Sequence, residues 1–160
     1  MSSVASNAIC EQRKEWRREH PFGFMARPMK NPDGTLNLFA WECGIPGMKD
    51  TIWGKGYYKL KMTFGNDYPI TPPQCQFDPP IFHPNVFSSG AICMPLLVEE
   101  LDWRPDVTIQ QILLAIQKLL CEPNIIGSAD AEAAIMYNGN RLMYETRVLF
   151  QAEAMRRPKE

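Results

Sequence analysis

In Tyr57-Tyr58-Lys59-Leu60-Lys61-Met62-Thr63-Phe64, Tyr58, Leu60, Met62 and Phe64 alternate with Tyr57, Lys59, Lys61 and Thr63. Side chains two residues apart share one face of a pleated strand, so the pattern predicts a half-buried antiparallel strand. Upstream, Phe22–Ala26 and Leu36–Cys43 read as strands around Asn31-Pro-Asp-Gly34, a strong turn signal. Downstream, Gln74–Phe77 forms a further short strand between two Pro-Pro pairs. Together these make a four-stranded meander.

Helical signals bracket the strands. Ala5–His20 contains no Gly or Pro, stops at Pro21, and sets Ile9 and Trp16 seven apart on one face. Arg13, Arg17 and His20 follow at i, i+4 and i+7, a basic stripe on the same helix. Period 3.6 returns with Ile109, Ile112, Leu113, Ile116 and Leu119/Leu120, where Thr108 and Gln111 suit a capping box and Pro123 ends the run. Asp130–Asn138 reads as a short helix. Asn140 caps a last one bearing Tyr144, Val148, Ala152 and Met155 on one face, and Arg156–Glu160 is expected to fray. The fold class is α+β, with residues 1–160 forming one domain.

Composition excludes several classes. With 17 basic against 18 acidic residues the net charge is −1, so no global field attracts nucleic acid. The longest wholly apolar run, Ile112–Ile116, is too short to cross a membrane, and Met1–Asn7 has no signal-peptide pattern. The five cysteines are Cys10, Cys43, Cys75, Cys93 and Cys121. They form no C-x-x-C or zinc spacing, and His20 and His83 complete none, so no metal site is expected. The odd number of cysteines suits free thiols in a reducing compartment.

From Asp78 to Asp106 no period survives, yet the segment is too rich in Phe, Ile, Leu and Trp for disorder. Ordered loops of such length are usually functional. This one holds His83-Pro84-Asn85, then Cys93 eight residues after the Asn, then Trp103-Arg104-Pro105. A thiolate can carry an acyl group as a thioester, and an Asn amide can donate to the oxyanion formed when a second nucleophile attacks it. His83, fixed by Pro84, reads as a structural hydrogen-bonder and not as a general base.

Tyr68-Pro69, Pro72-Pro73, Phe82-His83-Pro84-Asn85-Val86, Gly90-x-x-Cys93 and Trp103-x-Pro105 together resemble the ubiquitin-conjugating (UBC-fold) enzymes over essentially the whole chain. The segments Glu11–Arg17, His20–Phe24, Lys30–Gly34, Trp41–Cys43, Asp102–Pro105, Thr108–Leu114 and Glu122–Ile125 are most similar to the branch that conjugates SUMO. That resemblance implies a UBC fold: an N-terminal helix, a four-stranded antiparallel sheet, an active-site loop, then C-terminal helices. It implies that an activating enzyme, which alone uses ATP, passes SUMO to Cys93 as a thioester, and that a substrate lysine then takes it as an isopeptide. Asn85 would serve the oxyanion and the loop, with His83, Pro84 and Trp103 structural beside it. Arg13, Lys14, Arg17 and His20 would bind a second SUMO non-covalently and engage the activating enzyme. Implied partners are SUMO, that activating enzyme, SUMO ligases and substrate proteins, with no nucleic acid, no membrane and no cofactor of the chain's own. A monomer in nucleus and cytoplasm is expected. The alternatives are the same chemistry with ubiquitin or another ubiquitin-like modifier, or a variant that binds modifiers and transfers poorly.

Departures from that branch gather around the acceptor lysine. Phe87 and Gly127 stand where the branch has Tyr and Asp, which removes a hydroxyl and a carboxylate; Ser128 or Asp130 could replace them. Gly65, Gln74 and Gln76 stand where the branch tends to carry basic residues that favour an acidic residue after the acceptor lysine. Ala91 and Ala134 are small for substrate-touching positions, and Met94-Pro95 stiffens the chain after Cys93.

Overall fold

A computed structural model describes residues 3–157. Helix α1 (Val4–Arg18) opens with a reciprocal cap, in which the Ser3 hydroxyl accepts from the Ser6 N–H and the Ser6 hydroxyl from the Ser3 N–H. Ala5, Ile9 and Trp16 are buried along its inner face. The helix stops two residues short of the expected His20, whose ring folds back to stack on Trp16 at 5.0 Å.

The meander is β1 (Met25–Lys30), β2 (Leu36–Pro46), β3 (Tyr57–Thr63) and β4 (Gln74–Phe77), antiparallel throughout in the order β1-β2-β3-β4. Strand β3 alternates as expected: Tyr58, Leu60 and Met62 are buried while Lys59, Lys61 and Thr63 are exposed. The first strand starts later than expected. Gly23 adopts φ +87° and the Phe24 N–H closes a turn onto the Pro21 carbonyl, which leaves Phe22 in solvent instead of in a ladder. Strand β2 runs three residues past Cys43 because Gly44, Ile45 and Pro46 pair with Lys59, Tyr58 and Tyr57. A Cβ on Gly44 would run into the Tyr57 hydroxyl and ring, so a larger residue there would force Tyr57 aside.

Helix α2 (Ile109–Cys121) buries Ile109, Ile112, Leu113, Ile116 and Leu120 in a common core with Ile9, Trp41, Ile45, Tyr58, Leu60 and Met62. Its start is held twice: by the Thr108/Gln111 box, and by the Gln12 side chain of α1, whose carbonyl accepts from the Ile109 N–H at 3.0 Å. Each fully buried aliphatic side chain contributes about 1.5–3 kcal/mol, so this helix anchors everything packed at its C-terminal end. Helices α3 (Ala131–Gly139) and α4 (Arg141–Ala154) follow; Asn140 caps α4 as expected, while Asp130, expected as the first residue of the short helix, is its cap. Arg156 and Arg157 are placed, while Pro158–Glu160, where fraying was expected, lie outside the described residues. No described helix is long and apolar enough to cross a membrane.

Candidate active site

The aperiodic segment is an ordered loop pinned at both ends and in the middle. Gln151 of α4 clamps the Phe82 backbone, accepting from its N–H at 2.6 Å and donating to its carbonyl at 3.2 Å. The next residue, His83, is fully buried. Its Nδ1 accepts from the Asn85 N–H at 3.0 Å, which places the ring proton on Nε2, 2.9 Å from the Leu119 carbonyl at the end of α2. His83 thereby ties the His-Pro-Asn turn to the core helix.

Burial disfavours the charged imidazole and lowers the His83 pKa from 6.5 to about 4, outweighing the backbone acceptors at Leu119 and Leu120. Protonation at Nδ1 would also set two donors, the ring and the Asn85 N–H, against each other. The unfolded chain binds this proton first on acidification, so the stabilisation is complete above pH 6.5 and is lost as pH falls toward 4. The loss amounts to about 3 kcal/mol over that window. Denaturant midpoints measured from pH 7 to pH 4 should fall steadily, and a flat profile would contradict the buried neutral state.

Asn85 is also buried, and both ends of its amide are engaged. Its Nδ2 donates to the Asn124 carbonyl at 2.6 Å and its Oδ1 accepts from the Asn124 N–H at 2.9 Å. Its backbone carbonyl accepts from the Cys93 N–H at 2.8 Å. One residue therefore holds the nucleophile's backbone and the segment leading to α3. Between Asn85 and Cys93 the chain turns tightly: Phe87 and Ala91 pair, the Gly90 N–H donates to the Phe87 carbonyl, and the Gly90 carbonyl accepts from the Phe77 N–H at the end of β4. Gly90 adopts φ +92°, and a Cβ there would collide with the Phe77 carbonyl, so this close docking requires glycine.

Cys93 is half-buried, with its thiol 3.9 Å from the Gly127 carbonyl. Gly127 itself is exposed, at φ +74°, with open space where a side chain would be. Phe87 is half-exposed. Asp130 is committed elsewhere: its carboxylate accepts from the Ala133 N–H at 3.1 Å as the cap of α3, and its own N–H donates to the Pro84 carbonyl. Capping occupies one oxygen of this carboxylate, and Ser128 lies beside Gly127. Trp103 is buried, its indole N–H shared between the Pro69 and Ile70 carbonyls. Beside the loop runs a cleft of about 530 Å³, walled by Gln74 and Gln76 on one side and by Leu97, Glu99 and Glu100 on the other.

Residues 8–152 match the family described as ubiquitin-conjugating enzyme. The chain belongs to that family. Among its relatives, the SUMO-conjugating enzyme UBC9 of Caenorhabditis elegans is 55% identical over 152 residues, covering 95% of this chain and 92% of that protein. The Sumo-conjugating enzyme ubc9 of Dictyostelium discoideum is 45% identical over 159 residues, covering 99% and 100%. The expected UBC-fold elements occur in the expected order in this family member.

The structure brings Cys93, Asn85, Gly127 and the cap Asp130 into one neighbourhood and leaves Arg13, Lys14 and Arg17 on α1, with His20 just past its end, as a separate surface. On that surface Lys14 pairs with Glu11 at 3.3 Å, while neither Arg13 nor Arg17 has an ion-pair partner among the described residues. The Asn124 backbone was not foreseen as part of the site, and Gly127, expected at the acceptor pocket, contributes its carbonyl beside Cys93. Both act through main-chain atoms, and only the Glu122-Pro-Asn run hinted that this loop had a fixed shape.

Proposed function

We propose that the chain accepts SUMO as a thioester on Cys93 and passes it to substrate lysines as an isopeptide. The observation that carries this reading is a half-buried thiol whose backbone is fixed by Asn85 in a UBC-family chain 55% identical to a SUMO-conjugating enzyme. In the step itself the substrate amine attacks the thioester carbonyl, the C–S bond breaks, the Cys93 thiolate leaves, and the amine proton goes to solvent. Asn85 supports the oxyanion and the loop, and the Arg13, Lys14, Arg17, His20 surface receives a second modifier or the activating enzyme. ATP is consumed by the activating enzyme alone, and the chain needs no cofactor. SUMO ligases and substrate proteins complete the partners, in nucleus and cytoplasm. The test is charging with SUMO or ubiquitin by their respective activating enzymes. A reducible adduct with SUMO alone supports the proposal, and one with ubiquitin alone overturns it.

The acceptor side makes a second expectation. A free lysine is mostly protonated below its pKa near 10.4. With Gly127 bare and one oxygen of Asp130 engaged as the cap of α3, the carboxylate that the branch carries beside the acceptor lysine is missing. Discharge of the charged enzyme to free lysine should therefore keep rising across about pH 7–10 instead of levelling early. A plateau near neutrality would show that Ser128 or another group activates the amine.

A further inference from the structure

The cleft beside the Cys93 loop is continuous with the nucleophile's own backbone. Ile92, one residue before Cys93, lines it and donates its N–H to the Cys75 carbonyl at 3.2 Å. Ala91 bridges to Gln76 of β4, whose side-chain amide donates to the Ser89 carbonyl at 2.6 Å. A chain that delivers a lysine to Cys93 advances about 3.3 Å per residue, so residues two to four away from that lysine come within reach of the cleft. The charge they meet there is of one sign. Glu99 and Glu100 are exposed on one wall; among the described residues neither has an ion-pair partner and no base lines the cleft. Lys61, which pairs in register with Gln76, lines a separate groove with Arg27 and Glu42.

We propose that this cleft selects acceptor segments with a basic residue two to four positions from the lysine, the inverse of the acidic preference that bases at positions 65, 74 and 76 would confer. The proposal rests on the reading of Cys93 as the modifier carrier, because that reading brings an acceptor segment here. The walls then decide what the segment carries. An acidic side chain would meet two carboxylates on one side and only the amides of Gln74 and Gln76 on the other. Gln76 is further committed to the Ser89 carbonyl, and neither amide supplies a positive charge. A lysine or arginine in the same place meets attraction from both glutamates. Like charges set together suppress the wrong partner while opposite charges steer the right one, so the two effects add in the ratio of rates. Both carboxylates are exposed, which keeps each pair modest; the basic-over-acidic preference is about tenfold at low salt. Screening should remove most of it at about 1 M salt.

The test uses a pair of single-lysine peptides that differ only in Arg or Glu at the second and fourth positions after the lysine. In single-turnover discharge of the charged enzyme at low salt, the Arg peptide should take the modifier about tenfold faster, with the ratio falling toward one at about 1 M salt. Glu99→Gln/Glu100→Gln should bring the ratio near one without added salt, and Gln74→Lys should move it toward the Glu peptide. A nuclear magnetic resonance titration of the uncharged chain reads the same preference with no thioester: the Arg peptide should shift the Ala91 and Ile92 amides at lower concentration than the Glu peptide. Equal response to the two peptides, preference for Glu, or a ratio that survives the double substitution would overturn the proposal. A chain that accepts no modifier on Cys93 refutes the carrier reading instead, and the titration still decides the charge preference of the cleft.

Discussion

Cys93→Ala is expected to abolish the reducible SUMO adduct outright, because none of the other thiols can take over. Cys43 and Cys75 point into the core, where desolvation pushes both thiols up, Cys75 to about 12, and keeps them protonated. Cys10 lies within α1 and Cys121 at the end of α2, each on a helix and not on the loop that Asn85 holds. Cys93 alone combines partial exposure with a backbone held by that residue. The measurement is a non-reducing gel after incubation with activating enzyme, ATP and SUMO. An adduct that persists in the variant would move the nucleophile elsewhere.

Asn85→Ala should slow transfer from a preformed thioester to lysine by about 10²–10³, the usual loss for one oxyanion donor. Nδ2 carries two protons, and the Asn124 carbonyl takes one, which leaves the second for the proposed oxyanion contact. The same change leaves the Asn124 N–H and carbonyl without partners, at a cost of about 1–3 kcal/mol in stability. Two readouts separate the roles. If Asn85 were only a clamp, charging and discharge would fall together, in step with the melting temperature. A donor to the oxyanion predicts near-normal charging with slow discharge, and unchanged discharge would refute that role.

The strand pattern of β3 was legible because one wet face and one buried face leave a period of two in the residues themselves. Capping was legible for a similar reason: Thr108 and Asn140 satisfy donors only three residues away. The start of β1 was not, since it depends on Gly23 adopting a left-handed conformation that a Phe-Gly-Phe triplet does not announce. The site divided along the same line. Cys93 and Asn85 stood out by residue type and spacing, whereas their supports are carbonyls and amides of Leu119, Asn124 and Gly127. Every residue has those groups, so no side-chain pattern marks them. Asp130 shows the converse, a carboxylate singled out by its place near the acceptor lysine, one oxygen of which caps the first turn of α3.

The supports of the nucleophile arrive late along the chain. His83 waits for a carbonyl 36 residues on, Asn85 for one 39 residues on, and Cys93 for one 34 residues on. Closing such loops costs entropy that only a packed α2 repays. A nascent or truncated chain that ends before Asn124 thus owns the thiol and lacks its cradle. The geometry that positions Cys93 is therefore complete only once the segment after α2 has docked.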